Sequence, residues 1–130
     1  MAPVADPQHL PPPVVIALPA QIDMANAGRA GQQLGSALTP GATTVIADMT
    51  ATTFGDSSGI SMLIRAHKQA AATSTELRLV VPSAAVLRAL TLVKIDCLLP
   101  IYPTVSQALA APPAPRLPAA HGRQANRTSD

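Results

Sequence analysis

The stretch TTVIADMTATTFGDSSGISMLIRAHKQA, residues 43–70, passes from a β-branched apolar run into a helical pattern through Asp56, Ser57, Ser58 and Gly59. TTVIADM, residues 43–49, follows the chain-breaking TPG at 39–41 and reads as a buried strand. Beyond Ser58, Ile60, Leu63, Ile64 and Ala71 recur at helical spacing and predict a helix over 58–71. A strand that turns directly into a helix is half of a crossover unit, so the question becomes whether the rest of the chain repeats it.

It does. VVIAL at 14–18 reads as a strand, and Met24–Leu38 as a helix behind Asp23, a natural N-cap. ELRLVVP at 76–82 is a third strand, and SAAVLRALTL at 83–92 a helix capped by Ser83. CLLPIYP at 97–103 is a poor, edge-type strand, because Pro100 has no ladder donor. TVSQALA at 104–110 is a short helix capped by Thr104. Strands alternating with helices require crossover connections. The expected fold class is α/β: a mixed, largely parallel sheet of four to five strands with helices mainly on one face. Gly28, Gly31 and Gly35 lower the propensity of the first helix, and are expected to let it lie close to the sheet.

The expected folded unit is 14–110. Residues 1–13 carry proline at 3, 7, 11, 12 and 13 and read as a proline-rich flexible N-terminus, and 111–130 as a disordered basic tail. Arg116, Arg123 and Arg127 sit in that tail, which leaves residues 1–111 with six basic and six acidic side chains and no net charge. The body therefore has no basic patch for a phosphate backbone. With Phe54 and Tyr102 its only rings, it has no platform for stacked bases either. Nucleic acid is not an expected partner. The sequence shows no apolar run of about 18 residues and no basic cluster ahead of an apolar core, so neither a membrane nor secretion is expected, and the cytoplasm is the default location. Cys97 is the single cysteine. It forms no intrachain disulfide, and Asp23, Asp48 and Asp56 are too sparse for a metal site; no cofactor is expected.

The hydroxyls beside Asp56 admit several readings. Ser57 or Ser58 caps the helix while Asp56 completes a turn; or the first-turn amides and the helix dipole receive an anion. A standard phosphate loop is excluded, since GxxxxGK[ST] is absent. A nucleophilic serine is poorly supported. The motif is not GxSxG, and His67, nine residues after Ser58, lies about 13 Å along the helix on its apolar face. His9 and His121 belong to the terminal segments. Ser58, Met62, Arg65 and Gln69 fall on the opposite stripe, a docking face or a solvated one. Gly59 keeps the first turn slim enough for a second macromolecule to approach.

In its order of elements the chain resembles the STAS domains, and more closely the bacterial anti-sigma-factor antagonists. The resemblance rests on residues 43–70 together with PAQIDMANAGRAGQQL (19–34), LRLVVPSAAVLRALTL (77–92) and LLPIYPTVSQAL (98–109). It implies a non-enzymatic domain that binds a serine-kinase anti-sigma factor, is switched off by phosphorylation, and is restored by a serine phosphatase. Carried over residue by residue, it makes Ser58 the phosphoacceptor, with Ser57 second. Asp23 and Asp56 would orient the hydroxyl or touch the kinase; Gly59, Met62, Arg65 and Gln69, read from the helix itself, are the expected partner surface. The family's Gly-Glu pair before the first aspartate is replaced here by Ala20 and Gln21, ahead of Ile22 and Asp23. The alternatives are an interaction module of the same fold without a phosphorylation cycle and, last, a small phosphate-ligand binder or hydrolase.

Overall fold

The computed structural model describes residues 11–112; the N-terminal residues 1–10 and the tail from 113 onward, for which flexible chain was expected, lie outside the described residues. Four strands, β1 (Val14–Ala17), β3 (Thr44–Asp48), β5 (Glu76–Val80) and β6 (Ile101–Tyr102), form one sheet in the order β1-β3-β5-β6, every pair parallel. A second, two-stranded parallel sheet joins β2 (Gln21–Ile22) to β4 (Thr53–Phe54). Four helices connect them: α1 (Ala27–Ala37), α2 (Ser58–Thr73), α3 (Ala84–Leu92) and α4 (Val105–Ala110).

Strand alternation divides the sheet into two unequal faces. Val45, Ala47, Leu77 and Leu79 point into the main core, where Leu34 of α1, Met62 and Leu63 of α2, and Val86 and Leu90 of α3 meet them. Ile46 and Val80 face the other way, into a small cluster with Ala108 and Val105 of α4 and with Tyr102. Three helices therefore cover one face and α4 alone the other, which agrees with the expected architecture. Ser83 and Thr104 do cap α3 and α4, accepting from the amides of Val86 and Gln107.

Three local expectations are corrected. The fourth main strand is only Ile101–Tyr102, because a 3₁₀ turn at Ile95–Cys97 and the turn that follows it occupy the chain up to Pro100. The first helix starts at Ala27, and Asp23 caps the turn before it, accepting the Ala25 amide at 2.9 Å. Gly31 and Gly35 of α1 serve a helix rather than the sheet, while a β-carbon at Gly28 would meet nothing. A β-carbon at Gly31 would lie 3.2 Å from Met62 Cγ, and one at Gly35 would lie 3.0 Å from Gln69 Oε1, so α1 and α2 pack closely along this seam. The small β2–β4 sheet was not foreseen, since two-residue strands leave no periodicity to read.

A further unforeseen element is Arg78. It sits in the middle of β5 on the α4 face with its side chain 4% exposed. Nε and Nη2 donate to the two Glu76 carboxylate oxygens at 3.0 and 3.2 Å, Nη1 donates to the Ala108 carbonyl, and Nη2 donates to Pro112 O at 3.2 Å. The guanidinium carbon lies 5.9 Å from the Tyr102 ring centroid. One cation thus satisfies carbonyls at the end of α4 and just beyond it, and fastens that segment to the sheet.

Candidate functional site

Beyond the carboxyl end of β3, the chain makes a tight turn and enters β4, which pairs with β2. Thr53 N donates to Ala20 O and Gly55 N to Ile22 O, both at 2.8 Å, and Thr52 Oγ1 adds a bond to Pro19 O at 2.8 Å. This short ladder sets the DSSG loop beside the Gln21–Asn26 turn. Space there is tight. A β-carbon on Gly59 would fall 2.5 Å from the Phe54 ring, and one on Gly55 would fall 2.7 Å from Gln21 Nε2. Gly59 is buried, so its lack of a side chain admits the Phe54 ring rather than an approaching macromolecule.

Asp56 is the junction of the site. Its Oδ1 accepts the Ser58 amide at 2.8 Å, while Oδ2 accepts the Met24 amide at 3.0 Å. The helix start is therefore capped by the Asp56 carboxylate and not by a serine hydroxyl, which corrects the capping expectation. Ser57 occupies the N-cap position without a side-chain cap bond and is exposed. Ser58 is half-buried, and its hydroxyl lies near enough to Asp56 to favour the charged carboxylate. Asp23 stands across the ladder, half-buried; its Oδ2 is 3.4 Å from Gln21 Nε2, and its own amide donates to Asn26 Oδ1 at 3.0 Å.

The hydrogen bonds hold the Asp56 carboxyl below the ordinary aspartate value of 3.8: the Ser58 amide contributes most, then the Ser58 hydroxyl and the Met24 amide, against a smaller opposing effect of burial. A depressed value means that the charged form is favoured by folding. The contribution is complete above the unfolded value and is lost as pH falls through the folded one. The amide resonances of Met24 and Ser58, on two different elements, should therefore titrate together with a midpoint below 3.8 in NMR spectra. Asp56→Asn should abolish the shared inflection, and separate midpoints for the two amides would refute the bridge.

The rest of the proposed partner stripe divides. Arg65 is exposed on α2. Met62 is 1% exposed and belongs to the core, which removes it from any docking surface. Gln69 is engaged: its Nε2 donates to Gly35 O at 3.0 Å and to Leu38 O at 3.2 Å, closing the carboxyl end of α1. His67 is half-buried on α2, and its pKa is lowered by desolvation and by neighbouring Lys68. Among the described residues no group of three His, Cys, Asp or Glu side chains could hold a metal ion, and no helix is long and apolar enough to cross a membrane. A shallow cavity of about 230 Å³ lies elsewhere, between Ala17 and Pro19 and the Asn26, Arg29, Ala30 and Gln33 face of α1. That face is opposite the one carrying Gly31 and Gly35, so the cavity is separate from the α1–α2 seam.

The parallel sheet, the β2–β4 platform and the DSSG helix start together define a small α/β domain. The chain belongs to the STAS domain family, whose family model matches residues 5–108. It is similar in structure to an anti-sigma-factor antagonist (STAS) domain protein from Planctomyces limnophilus, with 26% identity, a TM-score of 0.63, and coverage of 73% of this chain and 86% of that one. It is also similar to a sulfate transporter family protein from Wolinella succinogenes (17% identity, TM-score 0.67, 75% and 82% covered). A third similar structure is the Bacillus cell fate determinant SpoIIAA in its phosphorylated form (21% identity, TM-score 0.56, 74% and 86% covered). No curated protein matches the chain.

Proposed function

We propose that this domain is a cytoplasmic anti-sigma-factor antagonist that binds a serine-kinase anti-sigma factor while unmodified and is released when the DSSG loop is phosphorylated. The reading draws on the antagonist from Planctomyces limnophilus and on SpoIIAA, which has been solved phosphorylated. The observation that carries it is Ser57: an exposed hydroxyl with no hydrogen bond among the described residues, at a helix start and beside a fixed carboxylate. The sequence favoured Ser58. Ser58 is half-buried and Ser57 exposed, which supports Ser57 as the residue that reaches a kinase.

The domain accepts the phosphoryl group and catalyses no reaction. The γ-phosphoryl of ATP moves to Ser57 Oγ, the hydroxyl proton leaves, and ADP departs from the kinase. The product adds about 1.5 to 2 negative charges next to Asp56. The helix start accommodates the phosphate, while a partner fitted to the neutral serine meets new bulk and like charge. A serine phosphatase completes the cycle by hydrolysis.

The test is incubation of the full chain with purified serine-kinase anti-sigma factors of the source organism and ATP, followed by intact mass and site mapping. The expected result is a gain of one phosphate on Ser57, abolished in Ser57→Ala, with at least a tenfold loss of affinity for the same kinase. Phosphate on Ser58 alone would return the assignment to the sequence-based choice. No phosphate on either serine, with no binding of the unmodified chain, would overturn the proposal.

A further inference from the structure

Met24 is 80% exposed, the most exposed large apolar side chain among the described residues. A single exposed methionine is ordinary on a protein surface. Three facts set this one apart. Its backbone amide is bonded to Asp56 Oδ2 at 3.0 Å, so the turn carrying the side chain is tied to the same carboxylate that caps α2. The turn is also braced from within: Asn26 Nδ2 donates to Gln21 O at 2.7 Å, Asn26 N to Asp23 O at 3.1 Å, and Ala25 N to Asp23 Oδ1 at 2.9 Å. Finally, its surroundings are acidic, with Asp23 half-buried at its base and Asp56 exposed beside it.

We infer that Met24 is the apolar anchor by which the kinase partner grips the unmodified domain, inserting into a partner pocket rimmed by cationic side chains. This rests on the function proposed above and names the partner chemistry at the same site. A flexible thioether fills irregular pockets well, and a side chain presented on a pre-braced turn loses little backbone freedom on binding. Charge complementarity specifies the rim: two carboxylates flank the anchor, so an arginine or lysine of the partner gains from both as the methionine is buried. Ser57 is adjacent in space through Asp56. Phosphate there competes with the Asp56 carboxylate for nearby amides and repels it, acting on the carboxylate that holds the Met24 turn. The modification then disturbs the anchor as well as the local charge.

The experiment uses the full chain and the same panel of purified kinase anti-sigma factors, measuring the dissociation constant and the rate of phosphate incorporation. Met24→Ala should weaken binding at least tenfold and slow incorporation at low protein concentration, while Met24→Leu stays within about twofold of wild type. Because the side chain is exposed, both variants should melt with the wild type, which separates loss of contact from loss of fold. Equal affinity of Met24→Ala and wild type would overturn the inference, as would Met24→Leu binding as poorly as Met24→Ala. The two readings fail separately. Phosphate on Ser57 with Met24→Ala bound at full strength sinks the anchor alone, whereas no phosphate and no bound kinase sinks both.

Discussion

Truncating Arg78 to alanine is expected to destabilise the domain by about 3 kcal/mol, a large share of the roughly 5–15 kcal/mol typical of a domain. The side chain is 4% exposed, and its guanidinium is satisfied by the Glu76 carboxylate and by two carbonyls that follow it by 30 or more residues. Alanine removes those bonds together and leaves the Ala108 carbonyl against an empty site, where burial without a donor is costly. Loss of the guanidinium's contact with the Tyr102 ring adds a cation–π component. Arg78→Lys keeps a charge but not the planar fork, and should recover only part of the loss. Urea unfolding measures the change, and hydrogen exchange over Val105–Ala110 should locate it. A loss below about 1 kcal/mol, or one spread evenly over the sheet, would contradict the clamp.

Met62→Ala should cost a comparable amount, about 3 kcal/mol, by the usual cost of a large-to-small core change. Its side chain is buried against the Gly31 position of α1, where no β-carbon is present to close the gap. The same substitution at a solvated docking position would shift stability by no more than about 0.5 kcal/mol, so one melting curve distinguishes core from surface. Arg65→Ala on the exposed side of α2 supplies the internal comparison and should remain within that smaller range.

These two residues show where the sequence was readable and where it was not. The three principal strands and all four helices were visible because apolar runs and helical apolar spacing mark them. Caps at Ser83 and Thr104 were visible because the hydroxyl precedes a helical run directly. Met62 was misplaced because Ser58, Arg65 and Gln69 share its stripe and made the whole face look polar. What reverses this is the glycine seam of α1, a property of a second helix 30 residues away. Gln69 stays exposed but is engaged for the same reason: it reaches across to backbone carbonyls at the end of α1. Arg78 lies in an apolar run, and besides Glu76 its partners are the Ala108 and Pro112 carbonyls, 30 or more residues away. At the site, the DSSG motif was legible, but the division of labour within it was not. That depends on Asp56 reaching across to Met24, a contact set by two-residue strands with no signature of their own.

The β2–β4 ladder also bears on how the domain moves. Two paired residues on each side hold the loop that carries Asp56 and the turn that carries Met24, whereas β3 is bonded along its length to strands on both sides. Opening of this end breaks few backbone bonds and draws only Ile22 and the Phe54 ring of these strands away from the main core, so it is a sub-global excursion of lower free energy than unfolding of the sheet. A partner that binds there also suppresses the excursion, and part of its binding energy becomes local protection of residues 20–25 and 52–58.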